Sequence, residues 1–293
     1  MSRHNITPLI LLIPCIIFVV VLAMAPFSML IFMGLSEIPR GAVGMSTLRF
    51  TGLENILELL SDEYYTRSLI NTFIFVITNL NVKIPMAFLI ALALNRNFKG
   101  RRILTALLLV PWAIPGLPYY TVWRFMYYSD VGVLNYILTK IGIANPPQWI
   151  ADPRYALYSV MIAHAIKNIP FFAIVLLAGL QSIPTELYES AEIDGAGGWQ
   201  KLRYITLPLM KNLIVLNYIL SFIWMMGVFD PVWIITHGGP AYSSNVLGTY
   251  AYVKTFELMQ PNLGIASFLP IAPLILALVI LLIWKRIIRL GGE

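Results

Sequence analysis

Long uninterrupted apolar runs dominate this chain, and polar residues gather in the short stretches between them. Crossing roughly 30 Å of hydrocarbon takes a helix of about 20 residues. Six segments meet that length: about Pro8 to Met33, Ser68 to Leu94, Ile103 to Tyr127, Ala156 to Leu180, Leu213 to Ile235 and Leu263 to Trp284. Barrel strands would alternate apolar and polar positions and span in about 10 residues, so these runs predict helices. The fold class is therefore an all-α polytopic membrane protein with six transmembrane helices. Pro111, Pro115 and Pro118 interrupt the third segment. It is expected to kink or break, face the bundle, and find protein donors for the carbonyls that the prolines release.

Composition agrees: 59% of the 293 residues are hydrophobic and only 12% are charged, too few to cover a soluble domain. The net charge of +6 would point to nucleic acid in a soluble chain; here its placement matters more, and no nucleic-acid partner is expected. Basic residues gather beside alternate connections: Arg3, then Arg96, Lys99, Arg101 and Arg102, then Lys201, Arg203 and Lys211, then Lys285, Arg286 and Arg289. The other connections are longer together and poorer in Lys and Arg, which puts both termini in the cytoplasm. The apolar run after His4 is too long for a signal peptide and lacks a cleavage pattern, so it is read as a retained first span. Cys15, in that run, is the one cysteine of the sequence, which excludes an intrachain disulfide framework.

Two external loops have character of their own. Leu53, Ile56, Leu57, Leu59 and Leu60, interleaved with Glu54, Glu58, Asp62 and Glu63, suit a helix lying on the outer surface. Asn145-Pro146-Pro147 followed by Trp149 suits a stiff turn with an interfacial aromatic, and Tyr119, Tyr120 and Trp123 suit an interfacial belt.

The cytoplasmic connection from Gln181 to Lys211 carries more pattern than a linker needs. Pro184 and Thr185 can open a helix with Glu186 near its positive end. Gly195, Gly197 and Gly198 stop it and allow a sharp elbow. A second short helix is expected from Trp199 to Thr206, ended by Leu207-Pro208 as the chain re-enters the membrane. Glu186, Glu189 and Glu192 share one flank, and Leu187 and Ala191 another, making a small docking knob.

The order Glu189-Ser190-Ala191, three residues, Gly195, nine residues, Ile205, one residue, Leu207-Pro208 resembles the EAA signature of permease subunits in binding-protein-dependent ABC importers. Ser190 stands where that family has alanine, and serine is small enough to keep a close interface. Asp194-Gly195-Ala196 with Trp199, Phe229-Asp230, Thr236-His237-Gly238-Gly239-Pro240 and Tyr250 through Phe256 look like the carbohydrate-uptake branch, the MalF/UgpA-type permeases.

The resemblance implies a type I ABC importer transmembrane domain. Residues 1–67 would form the first helix and an external segment, 68–287 the transport core with its coupling loop at 181–211, and 288–293 a cytoplasmic tail. It also implies partners: two copies of an ABC ATPase, a second homologous permease subunit, an extracytoplasmic sugar-binding protein and membrane lipid, all at a plasma (inner) membrane. The coupling set would be Glu186, Glu189, Ser190, Ala191, Asp194, Gly195, Ala196, Leu207 and Pro208. The cargo would be a mono-, di- or oligosaccharide, with glycerol 3-phosphate the main alternative.

Catalytic chemistry is not apparent. Gly195 to Gly198 with Lys201 lacks phosphate-loop spacing, and His4, His164 and His237 are too scattered for a zinc site. The chain is read as a non-enzyme with no cofactor or metal of its own; ATP and Mg would be used by the partner ATPase. Polar residues inside spans remain as pathway candidates. His164, Lys167, Asn168 and Phe171 fall on one face of the fourth span, and Asn217, Ser221, Trp224, Met225 and Val228 form a stripe on the fifth. Aromatic faces and amides suit a sugar, helix–helix hydrogen bonding would use the same residues, and Lys167 would also suit an anionic cargo. Lys83 in the second span has a comparable claim. A secondary transporter would carry ion-coupling carboxylates in mid-membrane, and none lies well inside these spans.

Overall fold

The computed structural model describes residues 7–39 and 48–272. An apolar helix comes first, α1 (Thr7–Val19) running through a π-helical turn at Val20–Met24 into α2 (Ala25–Gly34). Two short strands follow, β1 (Ser36–Glu37) and β2 (Arg49–Phe50), paired antiparallel with Ser36 opposite Phe50. Next come α3 (Glu54–Ser61), α4 (Glu63–Asn95), α5 (Arg101–Ala113), α6 (Gly116–Met126), α7 (Val133–Lys140) and α8 (Ala156–Gln181). The remainder comprises α9 (Thr185–Ile193), α10 (Gly198–Lys201), α11 (Leu207–Met226), α12 (Asp230–Ile235), α13 (Leu247–Tyr252) and α14 (Pro261–Ala266).

Four of these helical stretches are long and apolar enough to cross a membrane: Leu11–Gly34, Glu63–Asn95, Ala156–Gln181 and Gly198–Met226. A fifth is the pair α5 and α6, bent by 90° between them, so the proline-rich third segment is broken as expected. The all-α membrane fold is thus borne out. Most of the expected sixth span, Leu263 to Trp284, lies outside the described residues.

The fifth span departs from expectation at both ends. It is continuous from Gly198 to Met226, so Leu207-Pro208 does not end a separate cytoplasmic helix. A π-helical turn at Leu202–Thr206 precedes Pro208, which sits in the first turn of α11; the wider turn absorbs the residue that cannot donate. At the other end α11 stops at Met226. Asp230-Pro231 then opens α12 as a separate short helix, because proline fits a first turn and not a helix interior.

The described residues fall into two compact units, one drawn from Met1–Thr66 with Tyr250–Glu293 and the other spanning Arg67–Thr249. In the first, buried Asn55 donates to the carbonyls of Gly34 at 2.9 Å and Ser36 at 3.0 Å, and accepts from Asn262 at 3.0 Å. Asp62 caps α4 by accepting from the Tyr64 amide at 2.8 Å. Its other oxygen takes the Tyr250 hydroxyl at 2.8 Å and the Lys254 ammonium at 3.0 Å. Burial alone would raise the Asp62 carboxyl, but the hydrogen bonds from Lys254 and Tyr250 outweigh it and hold the group below its ordinary range. The amphipathic helix appears as α3, which buries Leu59 and turns Leu53, Leu57 and Leu60 outward.

The second unit is built on α4, α8 and α11. Ile84, Ala87, Ala91 and Leu94 of α4 pack with Phe172, Ala173, Leu176, Leu177 and Leu180 of α8, and with Met210 of α11. Small residues let the helices approach, which is how packing holds helices together where lipid supplies no hydrophobic drive. A side chain at Gly179 would begin 2.2 Å from Leu213 Cδ2. The expected aromatic belt is instead internal: Tyr119 and Tyr120 are buried, Tyr119 donating to the Ala163 carbonyl at 3.4 Å and Tyr120 meeting His164 Nδ1 at 3.1 Å. Trp149 is likewise tied into its own loop, donating to Asn135 Oδ1 of α7 at 2.7 Å.

Candidate functional site

Two regions of the Arg67–Thr249 unit gather the sequence candidates. The first is the connection between α8 and the Gly198–Met226 helix. Pro184 stands at the N-cap of α9 and Asp194 at its C-cap. Gly195 follows in the left-handed region with φ +78°, its amide donating to the Glu192 carbonyl at 3.0 Å, while the Ala196 amide reaches Ala191 at 2.8 Å. Those two bonds are a Schellman stop, and glycine meets its positive φ without strain.

Three contacts make the elbow stiff. Gln200 Oε1 accepts from the Gly197 amide at 2.6 Å. The Lys201 ammonium meets Glu192 at 3.3 Å across the bend, and the Tyr188 and Thr206 hydroxyls share a hydrogen bond of 2.9 Å.

Glu186, Glu189, Ser190, Asp194 and Gly195 lie exposed on this elbow, Ala191 and Ala196 are half-buried, and Leu207 and Pro208 are exposed on the returning helix. The most exposed apolar side chains here are residues that sequence reasoning left out of the set: Ile193 at 88% and Trp199 at 70%. Their signal was present, since an isoleucine and a tryptophan in a polar, glycine-rich stretch have nothing local to cover them.

The second region is the mid-helix face of α8 and α11. Phe171 stacks on Trp112 of α5 with ring centres 5.4 Å apart and tilts against Trp224 of α11 at 5.7 Å. Trp224 remains 55% exposed. His164 sits between the rings of Phe75 and Tyr120. The amide groups of Asn168 and Asn217 donate to their own helices, at the His164 and Leu213 carbonyls. Ser221 and Met225 are buried. Val228 is buried too, its carbonyl directed at Gly248, so it does not extend the exposed surface.

Lys167 has a defined task. Its ammonium donates to the carbonyls of Pro111 at 3.0 Å, Trp112 at 3.3 Å and Ile114, and lies 4.8 Å from the centre of the Tyr119 ring. These are carbonyls released where α5 breaks, so one lysine satisfies the end of a broken span. A charge held this way is not presented to an anionic cargo. Lys167→Met is expected to lower the stability of the purified assembly by about 1–3 kcal/mol, because the carbonyls lose their donor. Thermal unfolding in detergent measures it, and an unshifted transition would contradict this role.

Comparisons with known families, proteins and structures find likenesses over most of the chain. The family model for the binding-protein-dependent transport system inner membrane component matches residues 83–290. The trehalose/maltose transport system permease protein MalF of Thermococcus litoralis is 35% identical over 82% of this chain and 80% of its own length. The sn-glycerol-3-phosphate transport system permease protein UgpA of Agrobacterium fabrum is 33% identical over 89% of this chain and 87% of its own. A chain in the crystal structure of a bacterial alginate ABC transporter, in complex with alginate pentasaccharide-bound periplasmic protein, matches with a TM-score of 0.79. That match covers 94% of this chain and 92% of the other at 22% identity, a likeness of fold.

Proposed function

The chain belongs to the family of binding-protein-dependent transport system inner membrane components, and on that premise we propose that it forms half of the transmembrane pathway of an ATP-driven sugar importer. A second, homologous permease forms the other half. An external binding protein delivers a mono-, di- or oligosaccharide, and two copies of a cytoplasmic ATPase bind and hydrolyse ATP with Mg. Both termini and the α9 elbow face the cytoplasm; the core is 68–287 and the tail 288–293.

The observation that carries this reading is the elbow itself. A short helix closed by a Schellman stop, bonded at two points to the base of a membrane-spanning helix that Gln200 caps at the bend, is a lever that moves as one piece with that helix. Glu186, Glu189, Ser190, Ala191, Asp194, Gly195 and Ala196 form its surface and bend, Leu207 and Pro208 lie at its root, and Ile193 and Trp199 add apolar area to seat in the ATPase. At the other end, Phe171 and Trp224 offer aromatic faces to the C–H patches of a sugar ring, with His164, Asn168, Asn217 and Ser221 arranged behind them. Lys167, Met225 and Val228 shape that pathway from within.

Affinity purification from the native membrane in mild detergent tests the assembly. An ABC ATPase and a second permease should co-elute in stoichiometric amounts, and sugar-loaded binding protein should stimulate ATP hydrolysis. A lone chain that moves solute down an ion gradient would replace this reading with a secondary transporter.

A further inference from the structure

Lys83 lies well inside α4 and is 2% exposed. Its ammonium touches the thioether of Met225 on α11 at 3.6 Å and lies 4.6 Å from the centre of the Phe172 ring on α8. Among the described residues it has no carboxylate partner and no oxygen acceptor. A protonated lysine carries three donors, and a sulfur and a ring face are weak, displaceable partners for them. Lys167, by contrast, spends its donors on three carbonyls.

Two further polar groups, each one helical turn from Lys83 or from its partner Met225, are also left open. Ser221, one turn along α11 from Met225, is fully buried with no partner for its hydroxyl. Asn79, one turn along α4 from Lys83, is buried with no donor for its Oδ1. Buried groups of this kind are costly, and where several occur together they point to a ligand the protein is built to receive. The front of the cluster is Phe172, whose ring packs on Phe171 at 5.2 Å and on exposed Trp224 at 6.3 Å. Lys83 therefore stands one aromatic layer behind the pathway surface described above.

We infer that Lys83, with Ser221 and Asn79, forms a recessed site for an anionic group on the cargo, a carboxylate, phosphate or sulfonate on a sugar or polyol. Displacement of the Phe172 ring admits the anion, whose oxygens replace the Met225 thioether on the ammonium. The Ser221 hydroxyl donates to the same group, and Asn79 Oδ1 accepts from a neighbouring cargo hydroxyl. This inference rests on the sugar-import reading and narrows it to acidic or phosphorylated cargo.

The test is calorimetric titration of the whole complex, this chain with its partner permease and ATPases in nanodiscs without binding protein. Two matched probe pairs are used, glucuronate against glucose and glycerol 3-phosphate against glycerol. In the unaltered complex the anionic member is expected to bind about tenfold tighter. Lys83→Met should erase the preference while leaving the neutral sugar unchanged, and Lys83→Arg should retain part of it. Ser221→Ala, a change too small to threaten folding, should reduce the preference several-fold and covers the case in which Lys83→Met fails to assemble. Equal affinities within each pair, no binding of any probe, a preference that survives Lys83→Met, or one undiminished in Ser221→Ala overturns the site. If the unaltered complex responds to loaded binding protein with ATP hydrolysis yet shows no preference, the Lys83 site alone falls. If no ATPase assembles with the chain, the import reading falls instead.

Discussion

A chain carrying Gly195→Pro is expected to enter the membrane, yet to transport nothing. Proline fixes φ near −65°, whereas Gly195 holds +78°, so the bend cannot be reproduced. The substitution also removes the amide that donates to the Glu192 carbonyl, and with the bend lost the Ala196 bond to Ala191 goes too. The local cost is about 3 kcal/mol. It falls on an exposed elbow and touches none of the α4–α8–α11 core, so it should disconnect the lever and leave the bundle standing. Gly195→Ala separates conformation from shape: a Cβ there meets nothing within 4 Å, and only the left-handed backbone is penalised, by about 1–2 kcal/mol. Reconstituted uptake and cargo-stimulated ATP hydrolysis should be absent in the proline variant and reduced in the alanine one. Normal uptake by the proline variant would remove the elbow from the mechanism.

A large loss of stability is expected at Gly248, for a different reason. A Cβ at this position would begin 2.3 Å from the Val228 carbonyl oxygen, a piece of backbone and not a side chain that can rotate away. Nor can the Gly248 segment withdraw. The Leu247 amide donates to Thr72 Oγ1 at 2.9 Å and the Val246 amide to Thr249 Oγ1 at 3.0 Å. Asn245 donates to Ser68 Oγ at 2.8 Å, and Asn71 donates to the Asn245 carbonyl at 2.9 Å. Relief of the clash would break buried hydrogen bonds, so Gly248→Val should cost about 3 kcal/mol or more. The thermal transition and yield of the detergent-purified chain should both fall. Gly227→Ala is the control: no atom lies within 4 Å of a Cβ there and φ is −101°, so it should melt like the unaltered chain.

The spans were legible because lipid makes a demand that composition alone can meet: long apolar runs whose backbone bonds close within the helix. The elbow was legible because Pro184 and Gly195 act through their own backbone geometry. The break in the third span was legible for the same reason, through Pro111 and Pro115. Misreadings came where a local signal was answered by neighbours. Leu207-Pro208 reads locally as a helix end, but a π-helical turn before it keeps the helix going. Tyr119 and Tyr120 read locally as an interfacial belt, but α8 supplies their hydrogen-bond partners.

Local residue patterns specify the class of solution: a multi-pass helical bundle, a stiff glycine-stopped elbow and a polar face on each of two spans. Hydrophobic run length, proline and glycine are properties of a few adjacent residues, so no distant contact is needed to read them. Packing between distant segments settles which polar residues are occupied and which are open. Lys167 and Lys83 look alike in the chain, each the one Lys or Arg of an expected apolar span. Lys167 meets carbonyls freed by a bend more than fifty residues away in sequence, while Lys83 meets a thioether and a ring. A cation's role in a membrane is set by the acceptors within about 3 Å of it, and helix packing alone puts them there.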